Sequence, residues 1–269
     1  MEQELETGAK TKTEAAAGKS KLGFRLTERD IEILGFLLDQ KFASLEQIYF
    51  RHFDVRKNVS EALPKNLYVT RQRLQILRQA GLIKTEKVYS EAKSLYFLTV
   101  PGYHLLQSKR PDDAYAMPVK NMDFRSYDHD TKVNDCRIAI EKTGKVMKWI
   151  PERKIKMKGF ESEFSWHELP KDIVPDGIFI SSKGERIVFE IETTPRKKSR
   201  YQEKKDSYKS VMGGGPKALI HRVFWVGFTD RIFGDLKEVA GSEKEFFVES
   251  YTHFLSKLWP GGVAQKVSP

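Results

Sequence analysis

The residues best placed to do chemistry are three carboxylates set in apolar strand-like segments. Asp176 stands before Gly177-Ile178-Phe179-Ile180, and Glu190 and Glu192 close the run Arg186-Ile187-Val188-Phe189-Glu190-Ile191-Glu192. Burying a carboxylate in such company is costly unless something positive lies beside it. A hard divalent cation is the usual remedy, since Mg²⁺ takes oxygen ligands and retains several waters. A basic helical run from Arg196 to Val211 follows at once, carrying Lys197, Lys198, Arg200, Lys204 and Lys205. The plainer alternative is a hairpin with solvated acids along one face.

Strand geometry decides which acids can meet. Glu190 and Glu192 are two apart and share a face, leaving Ile187, Phe189 and Ile191 to the other. Asp176 joins them only across an odd-length connection, because one step of register turns every side chain over. Lys183-Gly184-Glu185 would serve, with Gly184 in the left-handed position that three-residue loops favour, and would set Asp176 opposite Glu192.

Pro175-Asp176 followed by Glu190-Ile191-Glu192 resembles the PD-(D/E)xK nuclease superfamily. The resemblance implies that Asp176 and Glu190 hold Mg²⁺ or Mn²⁺, and that the third motif position orients or deprotonates the attacking water. Glu192 stands there in place of lysine, which puts catalysis rather than fold in question. Lys204, one turn from Tyr208, is the lysine that would reach in from the following helix. If the site is inert, no cofactor is implied.

These residues need a frame. The chain has 269 residues, enough for two modest domains or one large one. Hydrophobic residues are 39% and charged residues 31%, as in a soluble protein. The net charge of +10 suits a polyanion, with double-stranded DNA the first candidate and an acidic membrane surface the competitor. No stretch approaches the ~20 apolar residues of a membrane span. The single cysteine, Cys136, cannot form an internal disulfide and fits a reducing, cytoplasmic setting. There is no zinc-spaced Cys/His cluster, and Gly213-Gly214-Gly215-Pro216 lacks the Lys-Ser/Thr ending of a phosphate loop.

Residues 1–22 are polar and expected to be a disordered leader. Over 23–108, Thr27 and Ser44 head two helices with capping boxes, and a third helix runs from Thr70 to Ala80. A hairpin, Leu82–Val88 with Leu95–Leu98, and a short helix opening at Thr99 follow. Three helices and a hairpin look like a winged helix-turn-helix, whose third helix enters the major groove. Its candidate DNA-binding side chains are Arg71, Gln72, Arg73, Gln75 and Arg78, with Lys84, Lys87 and Lys93 from the wing. The segment before the third helix is longer than the tight turn of that motif. A winged helix that binds protein is the competing reading.

Residues 109–124, with Pro111 and Pro118, are expected to be a linker. Residues 125–260 then read as helix, strand, strand, strand, helix, strand, and 261–269 as a tail. His129-Asp130 heads the first of these helices and is taken as a helix start rather than a ligand pair. Glu245–Phe254 is expected to be a last strand. The fold class is therefore α+β: a winged helix, then an α/β nuclease-like domain with a mixed sheet.

The fragments together resemble the replication-relaxation family of plasmid and mobile-element proteins. They are Leu26-Thr27-x-Arg29-Asp30-Ile31, Arg73-Leu74-x-x-Leu77 through Gly81-Leu82-Ile83, and Tyr96-x-Leu98-Thr99-x-x-Gly102. His129-Asp130, Trp149 ahead of Pro151-Glu152, Pro175-Asp176, Glu190-x-Glu192 and Lys204-x-x-x-Tyr208 continue the likeness. The resemblance implies a DNA-binding winged helix fused to a nuclease-like domain, serving plasmid replication or mobilisation beside other proteins of those processes. Two outcomes stay open. In one, Asp176, Glu190, Glu192 and Lys204 cut DNA while Lys197, Lys198, Arg200 and Lys205 hold its backbone. In the other, the same fold binds without cutting, as a regulator or accessory replication factor.

Overall fold

The structure, a computed structural model, describes residues 23–54, 67–88, 93–157, 169, 173–213 and 218–258. The expected leader, the hairpin tip at 89–92, most of the polar segment 158–172, the glycines at 214–215 and the C-terminal tail lie outside the described residues.

The first helix, α1 (Glu28–Asp39), starts at Thr27 through the expected capping box. The Asp30 carboxylate accepts from the Thr27 N–H at 2.6 Å, and the Thr27 hydroxyl accepts from the Asp30 N–H. A two-residue strand, β1 (Ala43–Ser44), leads into α2 (Leu45–His52), where Ser44 and Gln47 form a second box. Then come α3 (Tyr68–Gln79), β2 (Ile83–Val88), β3 (Lys93–Leu98) and α4 (Val100–Lys109). The strands form an antiparallel sheet in the order β1-β3-β2.

Residues 109–124, expected as a linker, are packed: Ala114, Tyr115 and Met122 are buried, and the Tyr115 hydroxyl donates to Asp39 at 3.0 Å. Next follow α5 (Tyr127–Lys142), β4 (Val146–Pro151), α6 (Glu152–Lys156), β5 (Gly177–Ser181), β6 (Arg186–Glu192) and α7 (Lys198–Lys209). The described chain closes with β7 (Arg222–Gly227), α8 (Asp230–Ala240), β8 (Phe246–Ser250) and α9 (Tyr251–Leu258). The sheet runs β4-β5-β6-β7-β8, antiparallel through β6 and parallel from β6 to β8, so it is mixed. No described helix is long and apolar enough to cross a membrane.

The expected last strand stops at Ser250 and α9 begins. Tyr251, Phe254 and Leu255 are all buried, and their i, i+3, i+4 spacing buries one face only in a helix. On β6 the alternation is as expected. Phe189 and Ile191 pack with α5, β4 and α9, while Val188 packs on the other face with Tyr201, Tyr208 and Leu236. The first core is continuous across the chain: Ile33, Phe36 and Leu37 of α1 join Ile138 of α5, Trp149 of β4 and Tyr251 of α9.

Candidate functional site

The β5–β6 connection brings the acids together, by a register that corrects the expectation. The pairs Gly177↔Phe189 through Ile180↔Arg186 continue into Ser181, whose N–H donates to the Glu185 carbonyl at 2.9 Å. The three-residue loop is therefore Ser182-Lys183-Gly184, one residue earlier than predicted, with Gly184 at φ 78°. The partner position of Asp176 moves by two, from Glu192 to Glu190, and the face is unchanged because the loop is still odd. The shift follows from Gly184, whose left-handed φ closes the loop as its third residue.

The ladder ends at Gly177, so the N–H of Ile191 has no strand partner there. Asp176 supplies one, accepting it at 2.8 Å. Gly177 itself is required, because a Cβ would collide with the Trp149 indole. The other Asp176 oxygen lies 3.3 Å from Nε2 of His129 at the start of α5. Burial pushes the Asp176 carboxyl up, but His129 and Lys204 outweigh it and hold it below the usual value.

Lys204, projecting from α7, sits between the two glutamates. Its Nζ is 2.8 Å from Glu190 and 3.0 Å from Glu192. Tyr208, one turn on, donates to the remaining Glu190 oxygen, and Arg196 lies 3.4 Å from the remaining oxygen of Glu192. Burial lowers the Lys204 pKa, yet the three carboxylates overcome this and keep it an ammonium. Burial pushes Glu190 up to about 8, against the pull of Lys204 and with Asp176 adding to the rise. Glu190 therefore takes a proton more readily than an ordinary carboxyl.

Each oxygen of Asp176, Glu190 and Glu192 thus faces a proton donor. Among the described residues, no three His, Cys, Asp or Glu side chains converge as a metal would need. As arranged, this donor set does not fit a divalent cation: the ammonium of Lys204 stands where one would bridge the acids. A groove of about 490 Å³ opens beside Glu192 and Lys204, lined also by Arg196, Arg200 and Tyr201 among others.

His129 is the member that sequence reasoning set aside, though its motif position beside Asp130 was the signal. Burial lowers its pKa, but Asp130 and Asp176 override this and push it up to about 10. Asp130 is held in turn by Lys41 at 2.8 Å and Ser126 at 2.9 Å. Tyr208 enters the sequence pattern only through its spacing from Lys204. Glu152, of the Pro151-Glu152 fragment, lies 3.4 Å from Lys41 rather than in the cluster.

The candidate DNA-binding residues divide. On α3, Arg71, Gln72, Gln75 and Arg78 are exposed, with Tyr68 and Val69 also outward at 55% and 66% exposure. Arg73 is turned inward. Its Nε lies 2.6 Å from the fully buried Asp30, its Nη2 also reaches that carboxylate, and it covers the Phe24 ring. Lys84 is tied to Glu86 and to the Lys120 carbonyl, Lys87 is exposed, and Lys93 occupies the β3 position opposite Val88. At α7, the N-cap Lys197, Lys198 and Arg200 are all exposed; Lys198 is paired with Glu238, and Arg200 lies 3.1 Å from Glu203. Lys205 is buried. It donates to the Val239 carbonyl at 2.7 Å and pairs with Glu243, so it satisfies the C-terminal carbonyls of α8 rather than facing a ligand.

The chain belongs to the replication-relaxation family, whose sequence model matches residues 34–224. Membership points to a role linked to replication or mobilisation. No curated protein and no solved structure matches the chain.

Proposed function

We propose that this protein is a DNA-binding factor of plasmid or mobile-element replication or mobilisation, with a nuclease-like sheet that does not cut. The observation that carries the reading is the ammonium of Lys204 seated between Glu190 and Glu192. It does the neutralising that a metal does in a live site of this type.

The likeness to a winged helix rests on α1, α2 and α3 followed by the β2–β3 hairpin. The likeness to a PD-(D/E)xK core rests on the order α5-β4-β5-β6-α7-β7, with the short helix α6 set between β4 and β5. Double-stranded DNA is the partner because Arg71, Gln72, Gln75 and Arg78 stand exposed on one helix of a chain with net charge +10. Arg and Gln are the side chains suited to guanine and adenine edges. Lys87, Lys197 and Arg200 add exposed cations for the backbone. Arg73, Lys84 and Lys205 drop out of the binding set, because internal acids and carbonyls hold them.

Binding is tested by anisotropy with a labelled duplex across a salt series. The account expects log affinity to fall linearly with log salt, by about 0.9 per phosphate contact. A salt-independent affinity removes the DNA reading, and no binding at low salt promotes a protein partner for the winged-helix half. Cutting is tested on supercoiled plasmid with Mg²⁺ or Mn²⁺. Nicking by the wild type that disappears in Asp176→Ala and Glu190→Ala favours the second reading, a metal-dependent endonuclease with the ion on Asp176 and Glu190. The convergence of Asp176 and Glu190 from neighbouring strands onto β6, with α7 beside them, favours that reading. It requires Lys204 to withdraw.

A further inference from the structure

Helix α1 is fastened at both ends, and the two ends belong to different parts of the molecule. At its first turn Asp30 grips Arg73 of α3, and Arg73 also donates to the Arg25 carbonyl at 3.0 Å. At its last turn the chain leaves through Gln40 into Lys41, whose φ of 71° is the one positive value at a non-glycine among the described residues. A side chain in that region is disfavoured by Cβ sterics, and it persists where the surroundings hold it.

The surroundings here are specific. Phe42 N–H donates to the Gln40 carbonyl at 2.8 Å, and Asn134 of α5 donates to the Phe42 carbonyl at 2.8 Å. The Lys41 ammonium crosses to Asp130 at 2.8 Å and Glu152 at 3.4 Å. Asp130 adjoins His129, His129 meets Asp176 at 3.3 Å, and Asp176 takes the Ile191 N–H at 2.8 Å. Gln40, 7% exposed and with its side-chain NH₂ unpaired, lines the same small cavity as Lys41, His129, Asp130 and Asp176. Helix α1 has 12 residues in all, and its part from Asp30 to Asp39 spans about 15 Å at 1.5 Å per residue.

We infer that α1 is a rigid connection between α3 and the acid cluster, and that Lys41 is the positioning residue through which a load on α3 reaches Asp176. The inference goes beyond the proposed function and rests on it only for what loads α3, namely duplex DNA. Displacing α3 moves Arg73 and Asp30 together, because Asp30 is buried and closed on both oxygens. The far end of α1 then shifts Lys41 against Asp130, and His129 carries the shift to Asp176. A buried helix that cannot stretch transmits displacement rather than absorbing it.

The test is amide exchange at Ile191, whose N–H the Asp176 carboxylate accepts, followed by NMR on the full chain. Without DNA, Lys41→Met should speed that exchange by about tenfold, while Lys41→Arg, which keeps the cation, should stay within about threefold of wild type. Unchanged exchange in Lys41→Met overturns the positioning role whether or not DNA binds. With a 30-base-pair random-sequence duplex at low salt, the wild type should change its Ile191 exchange on binding. Lys41→Met should bind the duplex as tightly and show no such change. A duplex that binds without altering Ile191 exchange in the wild type, or that alters it equally in Lys41→Met, also overturns the connection. Failure of the duplex to bind at all removes the DNA reading, and the arm without DNA still decides for Lys41.

Discussion

Helices α3 and α7 carry similar charge in sequence and use it in opposite ways. Arg71, Arg73 and Arg78 on α3 include one inward side chain, Arg73, closed on Asp30, while the others face out. On α7 the inward members are Lys204 and Lys205, one between two glutamates and the other on the carbonyls of α8, and Lys198 is paired to Glu238. The difference lies in what each helix packs against. The inner face of α3 meets mostly apolar side chains, with Leu74 and Leu77 buried there, so few of its cations are needed inside. Helix α7 covers the strand face that carries Glu190 and Glu192, and those buried acids demand partners. A cationic helix is thus a ligand surface only to the extent that the protein has left it without internal acids to neutralise.

That contrast can be broken by substitution. The largest effect should come from Lys204→Met, which leaves Glu190 and Glu192 buried without their ammonium, and should cost about 3–5 kcal/mol in a urea titration. A loss below about 1 kcal/mol, typical of a surface pair, would mean that Lys204 is not an internal partner. Arg73→Met should cost about 2–3 kcal/mol, less than Lys204→Met because Thr27 still hydrogen-bonds Asp30. Lys205→Met should cost about 1–2 kcal/mol through the lost carbonyl and Glu243 contacts, with duplex affinity unchanged. Arg71→Ala and Arg78→Ala should sit at the other extreme. Stability should change by less than about 0.5 kcal/mol, while each lost phosphate contact lowers the salt slope by about 1. Equal effects of Lys205→Met and Arg78→Ala on DNA affinity would erase the distinction between the helices.

The acid cluster also sets a pH dependence. His129 is pushed up to about 10 from 6.5, so its contribution is complete below about pH 6.5 and is lost as pH rises through about 10. Glu190, pushed up to about 8 from 4.5, binds a proton more tightly folded than unfolded, so its penalty grows between those values. Both act in one direction. Urea midpoints should fall from about pH 6 to pH 9, and His129→Gln should flatten the upper part of that fall. A midpoint that rises over this range would contradict the assigned partners.

Much of this was legible in the residues. Both capping boxes, the odd loop and the alternation along β6 follow from local chemistry and period, and the structure has them. The register was missed by two because the placement of Gly184 within the loop, not only its presence, sets the pairing. Helix α9 was missed although Tyr251, Phe254 and Leu255 carry a helical spacing, since the preceding Phe246-Phe247-Val248 reads as strand and the boundary has no punctuating residue. Lys41 was hidden for a different reason, and His129 showed only as a motif without its role. Each acts on an acid supplied by a distant segment, and no local pattern announces contacts across 47 or 89 residues.

The most direct test of a closed acid cluster is calorimetric titration of Mg²⁺ into the wild type at pH 7.5, with Asp176→Asn as the reference. The account predicts no saturable heat in either protein, because Lys204 and His129 hold the oxygens a metal would need. A one-to-one isotherm in the wild type that vanishes in Asp176→Asn would contradict it.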